Sequence, residues 1–456
     1  MKIVNPATER VIKNIKADTL EEINAKYETA RAAQRHWQAV PLRTRLESLQ
    51  QFFLLLDRHQ ESLAELLTLE MGKPIAQSRG ELDGAKERVR YFLDHCETYL
   101  SDEVVLEEGD WKEVISYEPL GVIANISAWN YPYLIGVNVY VPGLMGGNAV
   151  MYKPSEYAQL TGLEIQKLWN QCHLPKGVFQ TITGGAQSGQ ALIDLPLDGY
   201  FFTGSYRTGL ALYQQVAPKW VPCQMELGGK DPLYVSANNS NLNKVAAAAV
   251  DGAFYNNGQS CCAVERIYVH QEVYHDFVNH FVQEVKQLKM GDPMNDEVYI
   301  GPLARKEQLN YLQDQVDDAV SKGGKLLSGG RVETRQGYYY QPTVIIDANH
   351  QMKLMREESF GPIIGIQKVK DDQEALNLMQ DTNYGLTASV FTQDEDQAES
   401  LLKALPTGTG YWNCSNRVSA RLPWSGRGDS GIGTTLSHLG IRAFVQPKGY
   451  HLKQKL

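Results

Sequence analysis

From residue 121 the sequence takes on a rhythm that few architectures accommodate. GVIANISAW, GGNAVMYKPSE, VFQTITG and GYFFTGS read as short strand-and-turn units, and TGLEIQKLWNQC and RTGLALYQQVA between and after them read as helices. Buried strands alternating with helices predict a parallel sheet wound on both faces. In such a sheet ligands sit at the carboxyl ends of the strands. After MELGGKDPLYV the alternation starts again, with a helix over 241–255, the strand IYVH and the amphipathic helix YHDFVNHFVQEVKQLK. ALNLMQDTNYGLTASVFT repeats the helix–turn–strand theme. A chain of 456 residues exceeds one ordinary core, so two such α/β domains are expected. Residues 18–100 are helix-rich, with a stop at Gly72, Lys73 and Pro74, and residues 104–118 read as a β-hairpin. The closing IRAFVQPKGYHLKQKL reads as an exposed strand and tail whose unpaired edge needs a partner. No internal repeat is evident.

Composition narrows the function classes. A net charge of −9 opposes binding to phosphate backbones, so no nucleic-acid partner is expected. The most apolar stretch, 131–147, is broken by Pro132, Asn138 and Pro142, which argues against a membrane span. The N-terminal MKIVNPATERVIKNIKAD lacks the apolar core of a secretory signal. Six cysteines with no Cys-x-x-Cys or Cys/His cluster support neither a disulfide framework nor a metal site. A reducing cytoplasm is the expected compartment.

Two of those cysteines stand side by side in FYNNGQSCCAVER, residues 254–266. A cysteine in a tight turn between helix and strand is a nucleophile if its surroundings favour the thiolate, and otherwise a small buried hydrophobe. Attack on a carbonyl requires an oxyanion donor, and hydrolysis of a thioester requires a base. Asn130 in ISAWNYP offers a side-chain amide, or simply forms a turn. Glu226 in MELGGKDP offers a carboxylate, or a cap. FTGSYRTG places Gly204 and Ser205 where a helix start could face a pyrophosphate. KPSE places Lys153 and Glu156 where a ribose could be held.

In this order, the segments PLGVIANISAWNYP, GGNAVMYKPSE, FTGSYRTG, MELGGKDP, FYNNGQSCCAVER, EESFGP, NYGLTASVFT and LPWSGRGDSGIG resemble the NAD(P)-dependent aldehyde dehydrogenase superfamily over nearly the whole chain. The resemblance implies two Rossmann-like α/β domains plus a small β oligomerisation hairpin. Residues 1–100 and 119–227 would bind the cofactor, 228–431 would form the catalytic domain, and 101–118 with 432–456 would serve assembly as a homodimer or homotetramer.

It also implies roles. Cys261, two residues after Gln259, would be the nucleophile. Asn130 and the Cys261 backbone N–H would form the oxyanion hole, and Glu226 would be the general base. Trp129, Lys153, Glu156, Gly204, Ser205, Leu227, Glu358 and Phe360 match cofactor-contacting positions, for NAD with NADP possible. Tyr131, Cys262 and Trp424 would line the substrate site, and Arg417 and Arg421 would be placed to receive a substrate carboxylate, as in a semialdehyde. The family's usual Pro-Phe-Gly-Gly is replaced by LPWSGRGDSG, so the aldehyde itself is left open. Acyl transfer to coenzyme A or phosphate, and a non-catalytic structural role, are the alternatives.

Overall fold

The first run of strands builds a six-stranded sheet in a computed structural model that describes residues 1–454. Its order is Gly431–Ile432, Cys223–Glu226, Gly199–Thr203, Val122–Ile126, Ala149–Lys153 and Phe179–Thr181. All neighbours are parallel except Gly431–Ile432, which runs antiparallel to Cys223–Glu226. The two central strands Val122–Ile126 and Ala149–Lys153 are buried along their whole length. The strand order reverses beside Val122–Ile126, so a ligand crevice opens between the carboxyl ends of Val122–Ile126 and Gly199–Thr203.

The second alternation builds a seven-stranded sheet, in the order Lys325–Ser328, Thr343–Ile346, Ile363–Val369, Val264–His270, Asp231–Val235, Thr387–Phe391 and Thr409–Trp412. Only its first pair is antiparallel. The two runs thus form two wound α/β sheets, as the spacing predicts.

Helices position the site between them. The helix Gln60–Met71 stops at Gly72, whose φ of +75° is the left-handed conformation glycine adopts freely. The next helix, Ile75–Leu100, buries Leu82, Val89 and Cys96 at seven-residue spacing, with Ala85 and Phe92 beside them. It packs on the helix Pro132–Met145, which is apolar on nearly every face and buried accordingly. Each fully buried leucine or phenylalanine along this contact contributes roughly 1.5–3 kcal/mol.

The predicted hairpin forms from Glu103–Glu108 and Trp111–Pro119. The closing stretch departs from the sequence expectation in two ways. Ile441 and Arg442 end a short helix, Ser437–Arg442, because Ile441 together with Leu436 and Phe444 fills the core under the long helices. The strand begins at Val445 and is not alone. It pairs antiparallel with Trp111–Pro119 of its own chain, from Val445 opposite Pro119 to Lys453 opposite Trp111. Its other edge carries no strand among the described residues. Residues 431–442, expected to divide between the second unit and the hairpin, return instead to the first sheet and its helices. The last two residues of the 432–456 segment lie outside the described residues.

Candidate active site

Cys261 is delivered by a loop whose shape is set by asparagines. Asn256 and Asn257 hold φ values of 53° and 59°, a left-handed conformation that asparagine tolerates better than most side chains. The Asn256 amide donates to the carbonyls of Gln259 at 3.0 Å and Asn130 at 3.2 Å. Asn257 donates to the Pro302 carbonyl at 2.9 Å and accepts from the Gly301 N–H at 2.8 Å. The Gln259 side chain accepts from the Ala304 N–H at 3.0 Å. All of these groups are buried, so leaving one unpaired costs about 1–3 kcal/mol.

The loop presents Cys261 to a cavity of about 280 Å³, which Tyr131, Cys262, Glu226 and Trp424 also line. The Cys262 thiol donates to Asn416 Oδ1 at 3.1 Å. Its hydrogen bond with Cys262, together with burial and the Glu226 carboxylate, holds the Cys261 thiol well above its ordinary pKa. No acceptor among the described residues takes the Cys261 backbone N–H. The Asn130 amide donates to the Gln259 carbonyl at 3.2 Å, which brings it beside the Cys261 turn.

Glu226 ends the strand Cys223–Glu226 and enters the same cavity from the other sheet. Thr435 Oγ1 donates to its carboxylate, and Thr203 Oγ1 and Gln224 Nε2 lie farther off, at 3.4 and 3.5 Å. Burial raises its pKa above the usual carboxylate range, against the Thr435 hydrogen bond and the Arg88 charge.

Two buried ion pairs brace the surroundings, one behind Asn130 and one behind the Ser359–Phe360 turn. Lys73 pairs with Glu81 and donates to the Asn130 carbonyl at 2.7 Å, and Glu81 also accepts from the Tyr133 N–H at 2.8 Å. Lys230 pairs with Glu265 at 2.6 Å, and Glu265 accepts from the N–H groups of Ser359 and Phe360. Neither pair was evident in the sequence. Nothing local distinguishes Lys73, Glu81, Lys230 and Glu265 from surface charges, because long-range packing buries them.

Of the expected cofactor residues, Lys153 ends the strand Ala149–Lys153, and Gly204 and Ser205 follow the strand Gly199–Thr203. Ser205 caps the helix Tyr206–Val216, its hydroxyl accepting from the Thr208 N–H. The Gly204 N–H donates to the Glu226 carbonyl at 3.0 Å, and Leu227 packs against Gly209. Ser205 and Glu358 share a neighbouring cavity of about 550 Å³. Glu358 accepts from the Gly229 N–H at 3.1 Å. A side chain at Gly228 would strike that carboxylate. Burial pushes the Glu358 pKa up to about 8, and the Glu265 charge adds to the shift. Phe360 meets Trp129 edge-on at 5.4 Å. Lys153 is buried, and its ammonium has one hydrogen-bond acceptor among the described residues, the Pro154 carbonyl at 3.2 Å. That leaves donors to spare beside the exposed Glu156. A dinucleotide fits this set: a helix start with a free hydroxyl-capped turn, an ammonium with unused protons and a buried carboxylate acceptor.

The two arginines expected to meet a substrate carboxylate do not face the cavity. Asn416, Val418 and Ala420 line it, while Arg417 and Arg421 point outward and are exposed. The loop is irregular there, with Asn416 at a left-handed φ of 51° and Arg421 in a turn, and its path leaves both arginines in solvent. Arg421 instead lies 3.8 Å from Glu87 at the surface. Sequence inspection missed Arg88 and Thr435, whose contacts with the site arise only in the fold. No helix among the described residues is long and apolar enough to cross a membrane.

The model of the "Aldehyde dehydrogenase family" matches residues 1–449. Aminoaldehyde dehydrogenase 1, peroxisomal, of Pisum sativum is 33% identical over 457 residues, covering 98% of this chain and 91% of the relative. Chloroplastic betaine aldehyde dehydrogenase of Amaranthus hypochondriacus is 32% identical over 458 residues, covering 98% of this chain and 91% of the relative. Among solved structures, betaine aldehyde dehydrogenase from Staphylococcus aureus in complex with NAD+ is 28% identical with a TM-score of 0.95, covering 100% of this chain and 92% of that chain. An NADP-dependent enzyme of E. coli is 29% identical with a TM-score of 0.96, covering 99% of this chain and 94% of that chain.

Proposed function

The chain belongs to the aldehyde dehydrogenase family, an oxidoreductase acting on an aldehyde with NAD(P)+, and from that premise we propose how its residues divide the work. Cys261 is the nucleophile. Its thiolate adds to the aldehyde carbon and forms a hemithioacetal. The Asn130 amide and the unclaimed Cys261 N–H donate to the developing oxyanion, each donor lowering the barrier by about 2.7–4 kcal/mol. Bound NAD(P)+ supplies the oxidant. Glu226, with its proton affinity raised by burial, takes a proton from the water that hydrolyses the resulting thioester, and the acid leaves.

The observation that carries this reading is the meeting of Cys261 and Glu226, from two different sheets, in one cavity. The test is rapid-mix NADH formation. Glu226→Gln should give a burst equal to the active sites followed by a slow phase. Equal loss of both phases would assign Glu226 a structural role. Unimpaired steady turnover, dependent on added coenzyme A or phosphate, would favour acyl transfer.

The same reading assigns residues 1–100 and 119–227 to cofactor binding, 228–431 to catalysis, and the three-stranded sheet to assembly. The free edge of Val445–Lys453 supports a homodimer or a dimer of dimers, which sedimentation of the intact protein tests. Lys153 beside Glu156 supports NAD as the preferred cofactor with NADP tolerated. Glu156→Ser should shift the kcat/KM ratio toward NADP. Six free thiols fit a reducing compartment such as the cytoplasm.

A further inference from the structure

The cavity holds a buried cation that no protein anion meets. Arg88 lies on the Ile75–Leu100 helix, is 7% exposed and lines the same cavity as Cys261. Its Nη1 donates to Asn138 Oδ1 at 2.8 Å and to the Leu134 carbonyl at 3.0 Å, which fixes the guanidinium plane. No acceptor among the described residues takes Nε or Nη2, and no carboxylate among them lies within ion-pair distance. A guanidinium keeps its charge at any physiological pH, and a buried charge without a counter-ion is costly. Lys73 and Lys230 have their carboxylates, and buried Arg266 donates to the carbonyls of Lys230, Leu378 and Met379, whereas in Arg88 only Nη1 is engaged.

The remaining charges do not meet this demand. Glu81 is consumed by Lys73 and by the Tyr133 N–H. Glu87 is exposed at the rim, and the exposed Asp251 accepts from the Tyr299 hydroxyl at 2.5 Å. Glu226 is held by Thr435, and its charge acts on Arg88 through space without a hydrogen bond or ion pair between them. Gly80 and Gly84, on the helix face that carries Arg88, add no side chain to the space.

We propose that Arg88 receives a carboxylate on the far end of the aldehyde, so that the substrate is a short ω-carboxy aldehyde rather than the cationic aldehydes named for the relatives. Two parallel N–H donors from Nε and Nη2 match a carboxylate's two oxygens. The proposal rests on Cys261 being the attacking thiol and deepens that reading. It keeps the chemistry of the sequence expectation and moves it from Arg417 and Arg421 to a residue inside the cavity.

The test compares 4-oxobutanoate, butanal and 4-aminobutanal at matched chain length, with 3- and 5-carbon homologues. The wild-type enzyme should favour the carboxylate by kcat/KM. Arg88→Met should lower the ratio of kcat/KM for 4-oxobutanoate over butanal by about 10- to 100-fold, the worth of a charge-assisted pair, and Arg88→Lys should restore part of it. A second readout is independent of turnover: butanoate should protect Cys261 from alkylation by iodoacetamide more strongly than butanamide does, and Arg88→Met should abolish the difference. Failure of all three aldehydes with this protection intact would sink the dehydrogenase mechanism and leave the carboxylate site standing. A wild-type preference for 4-aminobutanal, equal protection by butanoate and butanamide, or equal loss on both aldehydes in Arg88→Met would overturn the proposal. If Arg88→Met does not fold, the wild-type preference and protection decide alone.

Discussion

The wall that carries Cys261 and the wall that carries Glu226 are built on opposite plans. Behind the cysteine, two left-handed asparagines and a glutamine are tied to five backbone groups drawn from residues 130, 259, 301, 302 and 304. Behind the glutamate there are side chains only: one close hydroxyl, and two partners at 3.4 and 3.5 Å, the edge of hydrogen-bonding distance. A bond-forming atom gains from a fixed position, since small misplacements cost rate steeply. A proton-carrying carboxylate has to serve water in changing places, and loose ties suit that task. The difference teaches that backbone ties in this site mark where covalent geometry is set.

The sharpest way to break the comparison is at the thiol. Cys261→Ala should reduce dehydrogenase activity by about a thousandfold or more, with cofactor binding retained. Cys262→Ala should keep substantial turnover, because its thiol faces Asn416. Essential behaviour of Cys262 in steady-state assays would move the nucleophile by one residue.

Next comes the frame behind the thiol. Asn256→Ala places a side chain without hydrogen bonds in a left-handed turn, at about 1–2 kcal/mol for the conformation and about 0.5–1.5 kcal/mol for each of the two lost hydrogen bonds, whose carbonyls keep Lys73 and the Asn130 amide as donors. Faster thermal inactivation and a lower kcat are expected together. Asn256→Gly, which suits the turn but not the carbonyls, should recover part of the stability. An alanine variant as stable and active as wild type would show that the loop is fixed from elsewhere.

The glutamate wall should respond through pH rather than through stability. The Thr435 hydrogen bond opposes the upward shift that burial imposes on Glu226. Thr435→Val removes it, so Glu226 should hold its proton to higher pH. The acid limb of the kcat profile should therefore move up in pH, with the plateau within severalfold of wild type. An unmoved limb would assign that titration to another group.

The smallest expected effect is on the cofactor side. Glu358, raised to about 8, is largely protonated in the free protein below that value. An ionised carboxylate accepts hydrogen bonds more strongly. NAD+ should thus bind more tightly as pH rises toward about 8 and level off beyond it, with Glu358→Gln flattening the trend by calorimetry.

The parts of this site that were legible in the sequence are those marked by turns. Glu226, Asn130 and Ser205 each follow an apolar run and lie within two residues of Gly or Pro, and Cys261 follows an Asn-Asn-Gly turn, so local punctuation exposes them. The strands themselves were legible because burial on both faces makes them continuous apolar runs. Arg88 was not, since it stands among Lys86, Glu87 and Arg90 in an ordinary charged helix. Only the crossing of Pro132–Met145 over that helix turns it inward. Arg417 and Arg421 were misplaced for a related reason: an irregular loop has no periodicity from which to read its facing side. The Ser437–Arg442 helix is too short for a periodic signal.

The return of Gly431–Ile432 to the edge of Cys223–Glu226 bears on how the chain is made. During synthesis the first sheet emerges early, yet its last strand, the threonine that holds Glu226 and the phenylalanine under its helices appear only after the whole second sheet. The amino-terminal half therefore waits, while the second sheet is made, with an open edge and an uncovered apolar face, in the condition that invites misassembly. For this chain the ribosome's exit order and the order of structural completion run opposite to each other. Its dependence on chaperones should be greatest just before residues 431–444 are added.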